Sequence, residues 1–329
     1  MKLSLYMPNF RDEFTVKELV DLANVCEELD FDSIWTLDRV VVPEASDSEG
    51  LQKAFGGMPD FPKALPVKSR GQWLQGLPLI PYLAAITKKV RLGVSIIVTP
   101  FRAPGVMAAE IATWDQLAEG RINVGVGTGW MPEEFQAASA SHIFSKKNKH
   151  VRETIEVMRG IWTNDLFEYE GEFTSFQKCG FGAKPVQKPC PPIYFGGLLK
   201  PATTAKRIAE YDLAGWIGVM DTPAAIKEWR AAIAGELEKI DHIDLMDNLT
   251  ISSMIPFEIT KEKTDQSDQG KATNNLIGTA AQITDNLKRY QEAGLTLPML
   301  WPPFSGVPTA KSIDDLKQLR QEIWPKVVG

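Results

Sequence analysis

The sequence is poor in the residues that form disulfide frameworks, metal sites and membrane spans. It has three cysteines and three histidines in 329 residues, and no histidine pair has the HExxH spacing of a zinc site. The cysteines are Cys26, Cys179 and Cys190, an odd number without metal-ligand spacing, which predicts neither disulfides nor a bound metal. No stretch approaches the roughly 20 apolar residues that a membrane span needs.

Positive charge is also in short supply. The formal net charge of −6 argues against nucleic acid or an anionic membrane as the main partner. The N-terminal apolar run is short and ends at Pro8-Asn9, unlike a signal peptide. With the low cysteine content, this predicts a protein of the reducing cytoplasm. Hydrophobic residues make up 44% of the chain and charged residues 24%, as in soluble globular proteins.

Short apolar segments typical of strands alternate with segments of helical periodicity. The predicted strands are Lys2–Met7, Phe31–Thr36, Val90–Val98, Arg121–Val126, Ile193–Phe195, Gly215–Val219, Leu249–Ile259 and Leu295–Leu300. The predicted helices are Val16–Leu29, Leu77–Thr87, Val106–Ala118, Lys146–Trp162, Pro201–Tyr211, Pro223–Ile240, Ala280–Ala293 and Ile313–Val327. Eight such units predict an α/β fold, a (β/α)8 TIM barrel with insertion segments, formed as one domain by residues 1–329.

Extra segments follow the second, fourth and seventh predicted strands. Phe167–Phe176 is a predicted hairpin with its turn at Gly171. Val42–Gly71 exceeds the usual length of a loop, and the polar stretch Lys261–Lys271 is near the upper end. Both long segments are therefore candidate lids.

The stretch from Trp114 to Phe135 is the most informative part of the chain. A predicted strand runs into Gly127-Thr128-Gly129-Trp130, and Met131–Glu134 then has the proline and acids of a helix start. Such a junction is where α/β folds bind phosphates and rings. Taken alone, a tight turn explains the glycines equally well.

The active site of a barrel lies where its strands end. Those ends are Pro8-Asn9, Trp35–Arg39, Ser95-Ile96, Gly127–Trp130, Gly196-Gly197, Gly218-Val219, Pro256-Phe257 and Trp301–Phe304. The set is rich in glycine and aromatic residues and contains no Ser-His-Asp order, no GxSxG and no obvious carboxylate pair. Such a pocket suits a flat, apolar ring cofactor that brings its own reactivity.

A series of short motifs runs from the second strand to the start of the seventh helix. They are Phe31–Trp35 with Asp38, Leu83–Gly93, Pro100–Pro104, Ala112–Asp115, Gly120–Trp130 with Glu134-Phe135, Glu153, Leu166–Phe173, Lys184–Pro189, Pro191–Gly197, Gly215-Trp216 and Gly278-Thr279. Each is weak alone, but the series resembles that of the bacterial luciferase-like superfamily. The resemblance implies a TIM barrel that binds FMN or the deazaflavin F420, and the pattern is most similar to the F420-dependent branch.

The resemblance also implies where the cofactor binds. The implied residues are Ser95, Ile96, Gly127, Thr128, Gly129, Trp130, Phe195, Gly196 and Gly197. Ser95-Ile96 aligns with a non-prolyl cis peptide that forms a bulge behind the ring, and an ordinary strand is the alternative. The FMN-binding luciferases tend to carry an arginine where this chain has Thr128, which favours F420 over the alternative, FMN. The basic residues Lys146, Lys147, Lys149 and Arg152 suit a phosphate or an acidic cofactor tail, or else a solvated helix start.

Asp38 and Arg39 are the candidate catalytic residues. Many relatives have a histidine that acts as an acid or base where this chain has Arg39. A guanidinium is a poor proton shuttle, but it can bind an anion or polarise a carbonyl. A salt bridge between Arg39 and Asp38 is the alternative.

Acids and aromatics complete the expected site. Asp115 is predicted to be a buried, structural hydrogen-bonding residue. Glu134 is predicted to favour a helix N-terminus electrostatically, with a position facing the cofactor as the alternative. The expected substrate pocket comprises Asn9, Trp35, Trp73 and Trp301, with core packing as the alternative for each tryptophan.

Three functions fit these observations. The first is an oxidoreductase that uses F420 to oxidise or reduce a small organic substrate, or uses reduced FMN and O2 as a monooxygenase. The second is a non-catalytic flavin-binding barrel, which the arginine at position 39 supports. The third is a barrel that binds a phosphorylated metabolite without a flavin. Relatives are commonly dimers or tetramers, so a homo-oligomer is expected.

Overall fold

The computed structural model describes residues 1–11, 14–43, 71, 73–197, 200–264, 276–302 and 307–329. Its strands, numbered along the chain, are β1 Ser4–Tyr6, β2 Ser33–Thr36, β3 Arg91–Val98, β4 Ile122–Gly127, β5 Leu166–Glu170, β6 Ser175–Gly180, β7 Ile193–Gly196, β8 Gly215–Val219, β9 Thr250–Ile259, β10 Leu276–Gly278 and β11 Leu297–Trp301. Every strand that was predicted from the alternation is present, with bounds that differ by at most three residues.

The strands form a closed parallel barrel. The order around it is β1-β2-β3-β4-β7-β8-β9-β11, with β11 paired to β1 and β8 paired to β9. Helices connect the successive strands, as a parallel sheet requires. The prediction of a (β/α)8 TIM barrel is therefore confirmed.

The helices lie between consecutive barrel strands, except the last two, which follow the final strand. They are α1 Val16–Glu28, α2 Gly76–Ile86, α3 Pro104–Leu117, α4 Pro132–Ala137, α5 Lys147–Thr163, α6 Pro201–Tyr211, α7 Pro223–Glu238, α8 Ala280–Ala293, α9 Thr309–Gln318 and α10 Pro325–Val328. The predicted helix Ile313–Val327 is partly wrong. The structure begins it at Thr309 and interrupts it with a π-type turn at Leu319–Ile323, just before Pro325 begins α10 without a backbone N–H donor.

Two insertions can be compared with their predictions. The predicted hairpin is confirmed as β5 and β6, with the Gly171 N–H donating to the Thr174 carbonyl at the turn. The sequence did not reveal β10, a three-residue strand beside β9, because three residues are too few to show a period. Most of the candidate lids, residues 44–70 and 265–271, lie outside the described residues, as do residues 303 and 304 of the last strand end.

The barrel walls separate two hydrophobic cores. Side chains of alternate strand residues point to opposite faces, so Tyr194 lies inside the barrel while Ile193 and Phe195 pack against the outer helices. Asp115 of α3 is fully buried in the outer layer and accepts hydrogen bonds from the Gln187 N–H and side-chain amide at 3.0 and 2.7 Å. Its predicted structural role is thereby confirmed. Within the described ranges, no helix is long and apolar enough to cross a bilayer.

Candidate active site

The mouth of the barrel contains a cis peptide bond between Ser95 and Ile96, where the resemblance implied one. The pairing of β3 with β4 shifts register between Val94 and Ile97, so the strand bulges at this point. The Tyr6 hydroxyl, inside the barrel, donates a hydrogen bond to the Ser95 carbonyl at 3.1 Å. The bulge is therefore held from beneath by β1.

The glycines at the ends of β4 and β7 make room for the side chain of Ile96. A Cβ atom on Gly127 would lie 2.4 Å from Ile96 Cδ1, and one on Gly196 would lie 2.3 Å from Ile96 Cγ2. A Cβ on Gly129 would similarly lie 2.5 Å from Val98 Cγ1. Because protein side chains already fill the space that a Cβ would need, the packing of the turn requires glycine at these three positions.

Gly197 differs from the other glycines of the site. Its φ of +141° is one that side-chain-bearing residues rarely adopt, and among the described residues a Cβ there would meet only Phe195, at 3.9 Å. No described side chain therefore packs tightly against Gly197, in contrast to the other three glycines. The Thr128 hydroxyl, in contrast, donates a hydrogen bond to the adjacent Gly129 carbonyl at 3.3 Å.

Asp38 is a buried carboxylate that ties β2 to its neighbours. It accepts two hydrogen bonds from the Arg102 guanidinium, at 2.6 and 2.8 Å, which makes a bidentate ion pair. The Val98 N–H and the Gln75 amide donate to it as well, at 3.0 and 2.6 Å. With four donors, the Asp38 carboxylate is fully occupied by protein groups.

Arg39 forms its ion pair with Glu134, and the suggested pair with Asp38 is wrong. Arg39 Nη1 donates to Glu134 Oε2 at 2.6 Å, and the Val40 N–H donates to Glu134 Oε1 at 2.8 Å. The guanidinium carbon lies 5.5 Å from the centre of the Phe10 ring and 5.3 Å from that of Trp130. Arg39 Nε is buried and has no hydrogen-bond partner among the described residues.

Glu134 has an ion-pair partner that the sequence did not reveal. It occupies the third position of α4, where an acid usually only favours the helix dipole. Here it is 1% exposed, and burial raises its pKa, while Arg39 and the Val40 N–H oppose that rise. Its partner is 95 residues away along the chain, so no local pattern signals the pair.

Arg207 of α6 is a second buried cation, and sequence reasoning missed it. It is 5% exposed, its guanidinium carbon lies 4.5 Å over the Phe195 ring, and Nη2 donates to Asn148 Oδ1 at 3.2 Å. No carboxylate pairs with it in the described part of the chain, and Nη1 lacks a partner, as does the buried hydroxyl of Thr204 one turn earlier. Burial lowers the pKa of Arg207. The available signal was an arginine on the buried face of an amphipathic helix.

The basic cluster at the start of α5 has mostly internal partners. Lys146 and Lys149 both pair with Glu172, and Arg152 pairs with Glu210 at 2.7 Å. The Lys147 ammonium lies 4.3 Å from the centre of the Phe144 ring. These contacts favour the solvated helix start over a cofactor-tail site.

Two of the four predicted substrate-pocket residues have structural roles instead. Asn9 is fully buried, and its side chain bonds to the Leu37 backbone at 3.0 and 2.9 Å and to the Leu74 carbonyl at 2.8 Å. Trp35 is fully buried in the barrel core, where Nε1 donates to Ser33 Oγ at 3.0 Å. Both side chains are fully buried and hydrogen-bonded within the protein, so we assign them structural roles in place of substrate contact.

The other two aromatic residues lie at the mouth. Trp73 is half-buried and packs edge-on against Phe10, with its Nε1 donating to the Arg39 carbonyl at 3.5 Å. Trp301 ends β11 and packs edge-on against Tyr6, with ring centres 5.2 Å apart. Both therefore stay candidates for the substrate side of the site.

Titratable groups in the described part of the chain are not clustered as metal ligands. Among the described side chains, no three of the His, Cys, Asp and Glu types are grouped so as to hold an ion. Burial lowers the pKa of His150, in the first turn of α5, to about 4, so its imidazole is neutral at pH 7. Asp221, which follows β8, has its carboxylate among the outer helices.

Comparison with known proteins agrees with this arrangement. The family model described as luciferase-like monooxygenase matches residues 1–262, which is most of the chain. The chain belongs to the luciferase-like monooxygenase family.

Two relatives and one solved structure show what the chain is similar to. An FMNH2-dependent dimethylsulfone monooxygenase of Pseudomonas putida is 32% identical over 154 residues, and the match covers 46% of this chain and 42% of that protein. An uncharacterized protein of Mycobacterium tuberculosis H37Rv is 27% identical over 243 residues, covering 71% and 79%. The solved structure of an F420-dependent secondary alcohol dehydrogenase, with an F420-acetone adduct, superposes with a TM-score of 0.75 at 17% identity, covering 100% and 99%. At that identity the superposition shows the fold alone.

Proposed function

We propose that this family member is a redox enzyme that binds F420 and acts on a small organic substrate, with FMN and O2 as the second candidate chemistry. The observation that carries the proposal is a pair of buried donors without a partner among the described residues, Arg207 Nη1 and Thr204 Oγ1. Arg207 lies over the Phe195 ring, which is also the described side chain that a Cβ at Gly197 would meet. Both cofactors carry a phosphate, and a phosphate supplies the acceptor oxygens and the negative charge that this place lacks.

The location of Arg207 fits a phosphate. Long side chains on a helix point back towards its N-terminus, and the hydrogen bond to Asn148 puts this guanidinium beside the first turn of α5. Helix N-termini favour anions, so the starts of α5 and α6 add to the attraction. A buried arginine without an acid is costly, and a bound phosphate would remove that cost.

The ring of the cofactor would lie at the Ser95–Ile96 bulge. When bound, such a cofactor supplies the redox chemistry, as a hydride donor or acceptor or, for reduced FMN, as the reductant of O2. The chain would orient the ring through the bulge that Tyr6 supports, and would exclude water with aromatic side chains at the mouth. Asp38, held by Arg102, would fix the neighbouring loop rather than transfer a proton.

The choice of cofactor rests on two opposed observations. Thr128 stands where FMN-binding luciferases tend to have an arginine, which favours F420. The similarity to the dimethylsulfone monooxygenase favours FMN, since that relative is FMNH2-dependent. Because Arg207 offers a guanidinium from a different element, the chain has a cation for either phosphate.

A binding titration tests the proposal. F420, FMN and riboflavin, which is FMN without the phosphate, would each be titrated into the protein and followed by absorption and fluorescence. We expect Arg207→Gln to weaken F420 or FMN binding by roughly 10- to 100-fold, the worth of a hydrogen bond to a charged group, and to leave riboflavin binding unchanged. Lys206→Gln removes a charge at the adjacent exposed position and serves as the matched control.

Three outcomes would count against parts of the proposal. Binding of neither F420 nor FMN would remove the flavin-type function altogether. If the ratio of FMN affinity to riboflavin affinity is the same in wild type and Arg207→Gln, Arg207 does not bind the phosphate. Tight binding without turnover across a panel of alcohols, ketones and sulfur compounds would favour the non-catalytic flavin-binding barrel.

A further inference from the structure

The guanidinium of Arg39 is enclosed on three sides. Phe10 and Trp130 lie near it at 5.5 and 5.3 Å, and Glu134 holds the Nη1 edge at 2.6 Å. The Nε–H donor is buried and has no partner among the described residues. Buried donors are nearly always satisfied, so an orphan at the mouth of a barrel points to an acceptor that arrives with a ligand.

The charges around this donor cancel. Glu134 neutralises Arg39, and Asp38 neutralises the next guanidinium, Arg102, through two hydrogen bonds. An anion entering here would lose its hydration without meeting a net positive charge, and burial of an unpaired charge is far more costly than burial of a hydrogen-bonded polar group. A neutral oxygen needs only the N–H donor, which is present.

We infer that the substrate is an uncharged molecule with an acceptor oxygen, such as a ketone, amide, sulfoxide or sulfone, which accepts the Arg39 Nε–H. This deepens the proposed function, on which it rests, by naming the class of substrate. The half-buried Trp73 and the ring of Phe10 give the rest of the molecule an apolar wall. Arg39 is then a substrate-binding residue, and Glu134 is the positioning residue that also sets the charge preference.

Two isosteric probes test the charge preference directly. Dimethyl sulfone and methanesulfonate have the same tetrahedral sulfur and similar size, but only the second carries a charge. Both have methyl singlets, so ligand-observed saturation-transfer NMR can measure their binding in one sample, with cofactor and without it, independently of turnover. We expect wild-type protein to bind the sulfone at least tenfold more tightly than the sulfonate.

Glu134→Gln changes the net charge of the Arg39–Glu134 pair from zero to +1 with little change of shape. Arg39 then keeps its charge without a counter-ion, so we expect the sulfone-to-sulfonate preference to fall by at least tenfold. Glu133→Gln removes an acid at the adjacent position of the same helix start, where no ion pair to Arg39 exists, and should keep the wild-type preference. Thermal unfolding of each variant would show that the fold persists.

The outcomes separate this inference from the proposed function. A wild-type protein that prefers methanesulfonate, or binds neither probe, overturns the substrate class even if F420 or FMN binds. A preference that is unchanged in Glu134→Gln overturns the role of the ion pair. Failure of both cofactors to bind, with the sulfone preference intact in the cofactor-free protein, would instead overturn the flavin-type function alone.

Discussion

Asp221 is a buried acid whose environment makes the stability of the fold depend on pH. It follows β8, and its carboxylate lies over Gly218 on the outer face of the barrel, where Trp216 stacks on Trp229 of α7. Its hydrogen-bond donors include the Ser253 hydroxyl at 2.8 Å, and no cation pairs with it in the described part of the chain. Burial therefore raises the pKa of Asp221 from 3.8 to about 6, against the opposing effect of those hydrogen bonds.

The magnitude follows from proton linkage. The folded chain binds the proton more strongly than the unfolded chain, so the free energy of unfolding falls as pH rises through the interval between the two pKa values. A difference of about 2 units, at about 1.4 kcal/mol each, corresponds to about 3 kcal/mol at full ionisation. The contribution of protonated Asp221 is thus present below about pH 4 and lost by about pH 7.

Asp221→Asn removes this dependence because an amide does not ionise. Urea unfolding of both proteins at several values between about pH 4 and pH 8 would give the difference in unfolding free energy at each pH. We expect the variant to gain about 3 kcal/mol relative to wild type across that range. Any pH-independent loss, such as a poorer hydrogen bond to Ser253, shifts all points equally and cancels. Asp314→Asn, at an exposed position, controls for the change in net charge.

A difference between Asp221→Asn and wild type that stays constant with pH would refute this reasoning. It would mean that solvent or an unrecognised cation compensates the carboxylate. Ser253→Ala provides a second measurement, because removing the hydroxyl donor raises the pKa of Asp221 further. The pH-dependent interval should then extend to higher pH, and an interval that narrows would contradict the assigned cause.

Two further predictions concern the mouth of the barrel. Gly127→Ala puts a Cβ 2.4 Å from Ile96 Cδ1, so we expect a loss of about 1–3 kcal/mol in denaturant unfolding, partly recovered by adding Ile96→Val, which removes that atom. Strictly additive losses in the double variant would show that Ile96 does not fill the space. Asp38→Asn leaves Arg102 without its counter-ion, so we expect a loss of about 3–5 kcal/mol by the same assay, and a loss near zero would contradict the buried pair.

Local signals made most of the fold predictable. The helix Ala280–Ala293 has the same bounds in prediction and structure, because Thr279 and Gln282 form a capping box and Gly294 takes the left-handed cap at φ +93°. The C-terminal helix was less accurate, since the π-type turn before Pro325 leaves no distinct periodic signature. The order of the strands followed from the alternation alone, as parallel connections allow few alternatives.

The sequence indicated individual residues of the candidate site but not their partners. The sequence identified Gly127 and Gly196 as positions of close approach, yet what approaches is Ile96, from another strand. It identified Asp38 and Arg39, yet their partners lie 64 and 95 residues away. The spacing of residues in the sequence does not indicate which distant residues will pair, so these ion pairs could be identified only from the folded barrel.

The two adjacent residues at the end of β2 explain why the mouth suits cofactor chemistry. Asp38 joins β2 to the end of β3 through Arg102, and Arg39 joins it to α4 through Glu134, so the two ion pairs anchor three elements around the Ser95–Ile96 bulge. Neither pair offers a free proton carrier, because a guanidinium stays protonated and both carboxylates are held by donors. Tyr6, whose pKa burial raises far above its ordinary value, keeps its proton on the Ser95 carbonyl. This arrangement supports reactions in which the protein orients a neutral oxygen and a bound cofactor performs the redox step.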